Sequence, residues 1–359
     1  MTAVIGAGNV GCALAADLAL RGREVRLFNR SAERLDPIRT AGGLTVTGEL
    51  DGFAAVNVVT DSIDEAVDGA EVVVVALPTA ALPFYARDLA AATSDEQVIW
   101  LNPGHSGGGL YLRAQFAAFG GSKRCLCQGT TASHVSRLLE PGLVHVFLRP
   151  KMALAALPAA AVDDCCERLD SLLPGQFRTA ETILEVDLAN INAVMHPPGM
   201  LCNAGWIEAT EGDFGFYADG SRRAGAAVID AIDSERLALA ESLGVRALPF
   251  PQLLYELGFS SDPRATGAYE ALHSSALIHP IKAPPTLDHR YLHEDVGWGL
   301  VPWLHLAEAV GCPVPTIAAL IQLATRINGI DYAAEGLTAE RMGLANATRN
   351  QIIDRVTHV

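Results

Sequence analysis

The sequence predicts an α/β fold in two parts: a doubly wound sheet over residues 1–183, then an all-helical domain over residues 184–359. Three observations carry this. A glycine-rich turn, Gly6-Ala7-Gly8-Asn9-Val10-Gly11, stands between a β-like run and a helical run. Short apolar runs alternate with helical ones through about residue 180, the rhythm of βαβ units in a parallel sheet. From about Asp187 the pattern changes to long apolar segments of period near 3.6, as in packed helices.

Element by element, Ala3–Ile5 is a predicted strand and Val10–Leu20 a helix. Glu24–Phe28 is a strand and Ala32–Thr40 a helix. Residues 44–59 read as a small β excursion. The run Glu71–Leu77 is continuously apolar between Asp68 and Pro78, as expected of a strand buried on both faces. Val98–Leu101 repeats that pattern and ends at Asn102-Pro103-Gly104. Arg124–Gly129, Val144–Leu148 and Met152–Leu157 are further strands of the same rhythm. Helices are predicted over 187–209, 224–243, 298–310 and 314–328. Pro313 and Pro315 punctuate the last two, and Pro315 suits a first helical turn.

Composition narrows the function. With 41 acidic and 26 basic residues the net charge is −15, which argues against nucleic acid and against anionic lipid as partners. Any anionic ligand must therefore be held by local groups. No basic and apolar leader opens the chain. Residues 188–207 are uncharged and long enough to span a bilayer. They nevertheless carry Asn190, Asn192, His196, Pro197, Pro198 and Asn203, so the expectation is a buried helix with a polar stripe. Seven cysteines without framework spacing suggest reduced thiols in a cytoplasmic protein.

The glycine-rich turn has a specific physical use. Gly6 permits the tight turn, Gly8 lets the backbone approach a pyrophosphate, and Gly11 allows the helix to pack on the strand. The pyrophosphate then meets the N–H groups of Asn9, Val10 and Gly11 at the helix start. This is the dinucleotide turn of a Rossmann-type domain, and it answers the charge problem locally. An NAD site usually places a carboxylate at the end of the second strand. Here that strand ends in Asn29-Arg30-Ser31, with Arg34 one turn later. Two guanidiniums and a hydroxyl suit a 2′-phosphate, so NADP(H) is favoured and NAD(H) stays open. Leu77 and Pro78, ending the strand at 71–77, complete the expected cofactor-facing set.

In the second half, Asn192, His196, Gly199 and Asn203 recur at i, i+4, i+7 and i+11 and share one helix face. Polar groups there must find partners or line a cavity. Pro197-Pro198 predicts a break or kink at His196. A second cluster, Asp288-His289-Arg290-Tyr291-Leu292-His293-Glu294-Asp295, reads as a solvated charged turn before a helix starting near Val296. His289 and His293 have i, i+4 spacing without a metalloprotease frame, and no metal is expected.

These residues resemble a known family. Asn190-Ile191-Asn192-Ala193-Val194-Met195-His196-Pro197 with Leu201-Cys202-Asn203-Ala204 resembles the signature helix of the opine dehydrogenases, the octopine/nopaline dehydrogenase group. Arg290-Tyr291-Leu292-His293-Glu294-Asp295-Val296 with Gly299-Leu300-Val301-Pro302 resembles their second signature. Asp233-Ser234-Glu235-Arg236 and Leu101-Asn102-Pro103-Gly104 also match. The resemblance implies reductive condensation of an amino acid's amine with a 2-oxo acid, through an imine reduced by a nicotinamide. It implies His196 as general acid/base with Asp295 as its partner, and Arg290 on a substrate carboxylate. Asn192 and Asn203 would bond or orient the substrate. The chain departs from the family pattern at Gln128, where many relatives carry glutamate, and at Leu82, where relatives often carry histidine. The oligomeric state stays open: the apolar helices at 298–328 could bury against a twin chain, giving a homodimer, as easily as within one chain.

Two other readings stay open at this stage. A ketopantoate-reductase-like or 2-hydroxy-acid dehydrogenase would rely on a lysine at the catalytic helix, whereas Lys123, Lys151 and Lys282 all lie off it. A non-catalytic NADP(H)-binding sensor would bind cofactor without turnover.

Overall fold

The computed structural model describes residues 1–121 and 124–358, so Lys123 lies outside the described residues. The chain forms two compact units. One holds Met1–Gly104, Gly108–Ile183 and the chain end from Val356. The other holds His105–Gly107 and Leu184–Arg355. Two short stretches thus cross the division expected at 183/184. Ser106 shows why the first does so: its hydroxyl accepts from Asn190 Nδ2 at 3.2 Å.

The first unit contains twelve strands among the described residues. They are β1 (Thr2–Ile5), β2 (Val25–Phe28), β3 (Gly43–Gly48), β4 (Gly52–Ala55), β5 (Val58–Thr60) and β6 (Val72–Val75). The rest are β7 (Val98–Leu101), β8 (Cys125–Gly129), β9 (Val135–Glu140), β10 (Leu143–Leu148), β11 (Met152–Leu157) and β12 (Phe177–Thr179). Eight form one sheet in the order β12-β11-β8-β7-β6-β1-β2-β5. Pairing is parallel from β5 to β8. The valines of β6 are buried throughout, because helices cover both faces of a parallel sheet. The strand order reverses beside β1, the place where such sheets bind ligands.

The fully parallel expectation fails at one edge. β11 runs antiparallel to β8, and β12 follows β11 in parallel. A parallel return needs a crossover helix; between β8 and β11 the chain instead makes the β9–β10 hairpin. Val144–Leu148 likewise belongs to a second sheet, ordered β4-β3-β10-β9. Its strand β10 buries Val144 and Val146 and exposes Phe147, the alternation of a sheet with one open face.

Helix α1 (Asn9–Leu20) packs against both the main sheet and the smaller one, and it is buried from Gly11 to Leu18. That includes Asp17, which accepts from Arg21 Nε at 2.6 Å and meets His134 Nε2 at 3.1 Å. The chain of bonds continues from His134 Nδ1 to Ser133 Oγ at 2.8 Å, and Asn102 Nδ2 donates to that oxygen at 2.7 Å. Burial alone would raise the Asp17 pKa. The bonds from His134 and Arg21 outweigh it and hold the carboxyl below its ordinary value.

The second unit is helical: α2 (Ile191–Leu201), α3 (Arg223–Leu243), α4 (Arg290–Asp295), α5 (Val301–Val310) and α6 (Pro315–Asn328), with shorter helices between. A π-helical turn, Val296–Leu300, joins α4 to α5. The expected break at His196 is absent. α2 runs through His196-Pro197-Pro198 and ends at Leu201, with Cys202 as its cap. Packing overrides propensity here: every residue from Ala193 to Leu201 is buried. Gly299 lets the π-turn approach so closely that a Cβ there would lie 2.9 Å from Ala193 Cβ. The cluster at 288–295 is also no solvated turn. The helix starts six residues earlier than expected, at Arg290, and Glu294 and Asp295 are buried. No helix among the described residues is long and apolar enough to cross a membrane.

Asp17→Ala should cost about 2 kcal/mol of stability, because it leaves the buried His134 Nε2 without its partner. Since the folded pKa of Asp17 is depressed, its contribution is full above the unfolded carboxylate value and is lost as pH falls through the folded one. Denaturant unfolding at pH 7 and at pH 3 checks both: the wild-type and mutant curves should lie further apart at the first than at the second.

Candidate active site

The glycine turn in the first unit has the shape a dinucleotide requires. Gly6 has φ +116°, and a Cβ there would lie 2.6 Å from Ala76 O and 2.9 Å from Leu77 Cδ2. A Cβ on Gly11 would lie 1.7 Å from Gly6 O, so the helix seats on the strand only with glycine at that position. A Cβ on Gly8 would meet nothing within 4 Å. Open space therefore faces the backbone where a pyrophosphate would lie. The first intrahelical donor is Cys12, bonded to Gly8 O, which leaves the N–H groups of Asn9, Val10 and Gly11 for a ligand. These residues fit the group.

The polar side chains around the turn divide into braces and outward groups. Asn29 Oδ1 accepts from Ala7 N at 3.2 Å, so this side chain holds the turn. Asn9 Oδ1 accepts from Leu138 N at 2.8 Å and ties α1 to β9. Arg30 is exposed and lies over the rings of Phe84 and Tyr85, 5.9 Å from each centroid. Ser31 is half-buried, Arg34 and Pro78 are exposed, and Leu77 borders Gly6. Leu82 is buried in the short helix Thr79–Phe84. Gln128 is fully buried, and its Oε1 accepts from Gly109 N at 3.0 Å.

The second unit brings together two residues ninety-nine positions apart. His196 Nδ1 lies 2.7 Å from Asp295 Oδ2, with His196 4% and Asp295 1% exposed. Helix α2 supplies the histidine and α4 the aspartate. His196 Nε2 lies 2.8 Å from the hydroxyl of Tyr217, and the ring of Tyr291 stacks on the imidazole at 3.7 Å. Arg290 Nη2 meets Glu294 Oε2 at 2.9 Å, while the Arg290 side chain is 53% exposed. His105 Nε2 lies 3.6 Å from the other Glu294 oxygen. Asn192 is half-buried at the start of α2, where its N–H donates to Asn190 Oδ1. Asn203 is a brace: its amide donates to Gly199 O and Gly220 O, tying α2 to the loop that carries Tyr217.

Burial governs the charges. It pushes Asp295 up to about 8, and Glu294 beside it adds to the rise. It drives His196 well below its ordinary value, helped by the Arg290 charge. The pair thus resists carrying net charge, and one proton can rest between its oxygen and its nitrogen. For Arg290 burial works the other way, but Glu294, Asp295 and Tyr291 outweigh it and raise the pKa. Burial raises Tyr217 far above the ordinary phenol value.

Sequence reasoning missed His105, Glu294, Tyr217 and Tyr291 as members of the cluster. His105 directly follows the Leu101–Gly104 motif, and Glu294 and Tyr291 lie within the 290–296 motif, so a signal existed for all three. Tyr217 sits in a loop between Gly215 and Gly220 with no motif around it.

His289 shows how α4 starts. Its Nδ1 accepts from Tyr291 N at 3.3 Å, and its partly buried ring, next to Arg290, has a pKa lowered to about 4. The cap requires an unprotonated nitrogen. Its contribution is therefore complete above the ordinary histidine value and fades as pH falls through about 4. An NMR titration should place the His289 midpoint near 4, and His289→Ala should cost about 1 kcal/mol at pH 7. A midpoint at the ordinary histidine value would contradict the cap.

The family model for the alpha-helical domain of NAD/NADP octopine/nopaline dehydrogenases matches residues 179–328. A model for coenzyme F420-dependent NADP oxidoreductases matches residues 2–101. The chain is 33% identical over 348 residues to an opine dehydrogenase of Arthrobacter sp. strain 1C, covering 96% of each. In fold it is similar to octopine dehydrogenase solved with NADH and L-arginine (TM-score 0.80, 23% identity, 100% of this chain and 98% of that one). It is also similar to NADP+-bound yersinopine dehydrogenase (TM-score 0.77, 16% identity, 97% and 98%). The chain belongs to the opine dehydrogenase family, NAD(P)-dependent oxidoreductases acting on CH–NH groups.

Proposed function

We propose that this enzyme condenses the amine of an amino acid with a 2-oxo acid and reduces the resulting imine, with His196 and Asp295 as its acid–base pair and NADP(H) preferred over NAD(H). The observation that carries the reading is the buried 2.7 Å contact between His196 and Asp295 beside a half-exposed arginine. The relatives solved with arginine, pyruvate and NADH support the substrate classes.

The residues have distinct tasks. Arg290 grips a substrate carboxylate through its planar fork, held in place by Glu294. Attack of the amine on the oxo carbon gives a carbinolamine, whose hydroxyl leaves as water only if it receives a proton. The His196–Asp295 pair supplies that proton, since burial keeps it on the pair up to about pH 8. When the proton is given up, Asp295 remains as carboxylate and fixes the imidazole tautomer through Nδ1. Asn192, half-buried on the same helix, orients the substrate. The bound nicotinamide supplies the hydride that reduces the imine. Arg30, Ser31 and Arg34, with no carboxylate among them at the end of β2, receive a 2′-phosphate. Lys282 is tied to Asp213 in an exposed ion pair, which favours histidine over lysine chemistry.

NADPH oxidation should require both a 2-oxo acid and an amino acid. Turnover with an oxo acid alone would instead support a hydroxy-acid dehydrogenase. His196→Ala should lower turnover by about two to four orders of magnitude with NADPH affinity nearly unchanged. Arg30→Ala with Ser31→Ala should weaken NADPH far more than NADH in a fluorescence titration. The pair holds its proton below about pH 8 and loses it above, so reductive turnover should fall through that pH while the reverse oxidation rises. A flat profile from pH 6 to about 9 would remove the pair from the chemistry.

A further inference from the structure

His196 has two ring nitrogens, and both are engaged. Nδ1 meets Asp295, and Nε2 meets the Tyr217 hydroxyl at 2.8 Å. Tyr291 stacks on one imidazole face at 3.7 Å with an interplanar angle of 15°, and Phe216 lies tilted on the same side, its centroid 6.2 Å from the imidazole and 5.2 Å from the Tyr291 ring. An imidazole nitrogen has one in-plane hydrogen-bonding position, so nothing but the Tyr217 oxygen meets Nε2 in this arrangement. His196 and Tyr217 are 4% and 3% exposed. Tyr291, whose side chain adds to the rise in the Tyr217 pKa, is partly exposed and adjoins Arg290. Tyr217 and Tyr291 therefore stand between the buried Asp295–His196 pair and the half-exposed arginine.

The loop carrying Tyr217 is itself held in register. Phe216 N donates to Ile281 O at 2.9 Å, and Asn203 bonds Gly220 O at 3.0 Å. Gly199 accepts the Phe216 ring so closely that a Cβ there would lie 2.6 Å from its Cζ. This explains a glycine in the middle of α2. The charged and titratable groups around the path are Asp295, Glu294 and Arg290 from α4, His289 at its cap, whose ring meets that of Tyr291 edge-on at 4.6 Å, and His105 from the neighbouring loop.

We infer that Tyr217 relays the proton between His196 and the substrate, with the Tyr291 hydroxyl as the outer link. The inference rests on the acid–base assignment proposed above. The transfers balance. The Tyr291 O–H proton passes to the carbinolamine hydroxyl, whose C–O bond breaks to release water as the nitrogen lone pair forms C=N. The Tyr217 proton moves to the Tyr291 oxygen, the His196 Nε2 proton to Tyr217, and the Asp295 proton to Nδ1. Both tyrosines end as neutral phenols, and the pair ends one proton poorer. Burial raises the Tyr217 pKa, which suits a phenol that passes a proton on and does not stay ionised.

Tyr217→Phe keeps the ring and removes the link. With a 2-oxo acid and amino acid that the wild type turns over, kcat should fall about a hundredfold, with KM for both substrates and NADPH within about twofold. The proton inventory in H2O/D2O mixtures should be curved for the wild type and linear for the variant. Unchanged kcat, or a lower KM at unchanged kcat, would show that Tyr217 only fills space, and would overturn the relay. If thermal unfolding shows the variant misfolded, Tyr291→Phe decides: it retains the stacked ring, so a fall in kcat supports the relay and full activity overturns it. A separate readout needs no turnover. The 15N resonance of His196 Nε2, assigned with His196→Ala, should move in Tyr217→Phe, and an unmoved resonance overturns the contact. If the wild type reduces no oxo acid and amine pair, the functional reading fails, and the nitrogen spectrum still tests the link to Tyr217.

Discussion

A carboxyl and an imidazole, both almost without solvent, share a 2.7 Å contact in the helical unit. Removing two ionisable groups from water is costly unless each finds a partner. The arrangement meets this constraint in layers. Asp295 and His196 satisfy each other, Tyr217 takes the remaining imidazole nitrogen, and Glu294 is matched by Arg290 and His105. Helix α2 stays intact through two prolines because both partners must be presented from fixed backbones. A kink at His196 would aim its ring elsewhere.

The same constraint sets the chemistry. Burial raises the carboxyl and lowers the imidazole, so neither ionises independently near neutrality. What remains is a mobile proton in a dry, aromatic-lined setting. Such a proton suits the loss of hydroxyl from a carbinolamine, a step that needs acid but no strong one. Arg290 keeps its charge because anionic neighbours outweigh the effect of burial, and its half-exposed side chain is able to meet a carboxylate.

The dinucleotide unit works by steric permission rather than by charge. Gly6 and Gly11 sit where a Cβ would strike backbone oxygens, and Gly8 faces open space. The turn thereby gives an acidic protein a helix start whose N–H groups suit an anionic cofactor. The polar residues around the turn are less uniform than their spacing suggests. Asn9 and Asn29 brace the backbone, whereas Arg30 and Arg34 are exposed.

Much of this was legible along the chain. The strands Val98–Leu101 and Met152–Leu157 appear with the limits their apolar runs indicate, and the glycine turn, His196, Arg290 and Asp295 each stand in a local pattern. Local patterns report local physics: periodicity shows which face is apolar, glycine shows where a Cβ is excluded, and arginine after a strand suggests a phosphate. They do not report direction or partnership. That β11 runs against β8, that α2 survives its prolines, and that 288–295 is a buried helix rather than a wet turn all follow from contacts far apart in sequence. The sequence by itself determined the dinucleotide turn and singled out His196 and Asp295 through the motif in which each stands, because such motifs are set within a few residues. Only the tertiary structure decided that Tyr217 completes that pair and that Glu294 and His105 stand behind Arg290, because a desolvated polar group takes whichever partner the packing brings within reach.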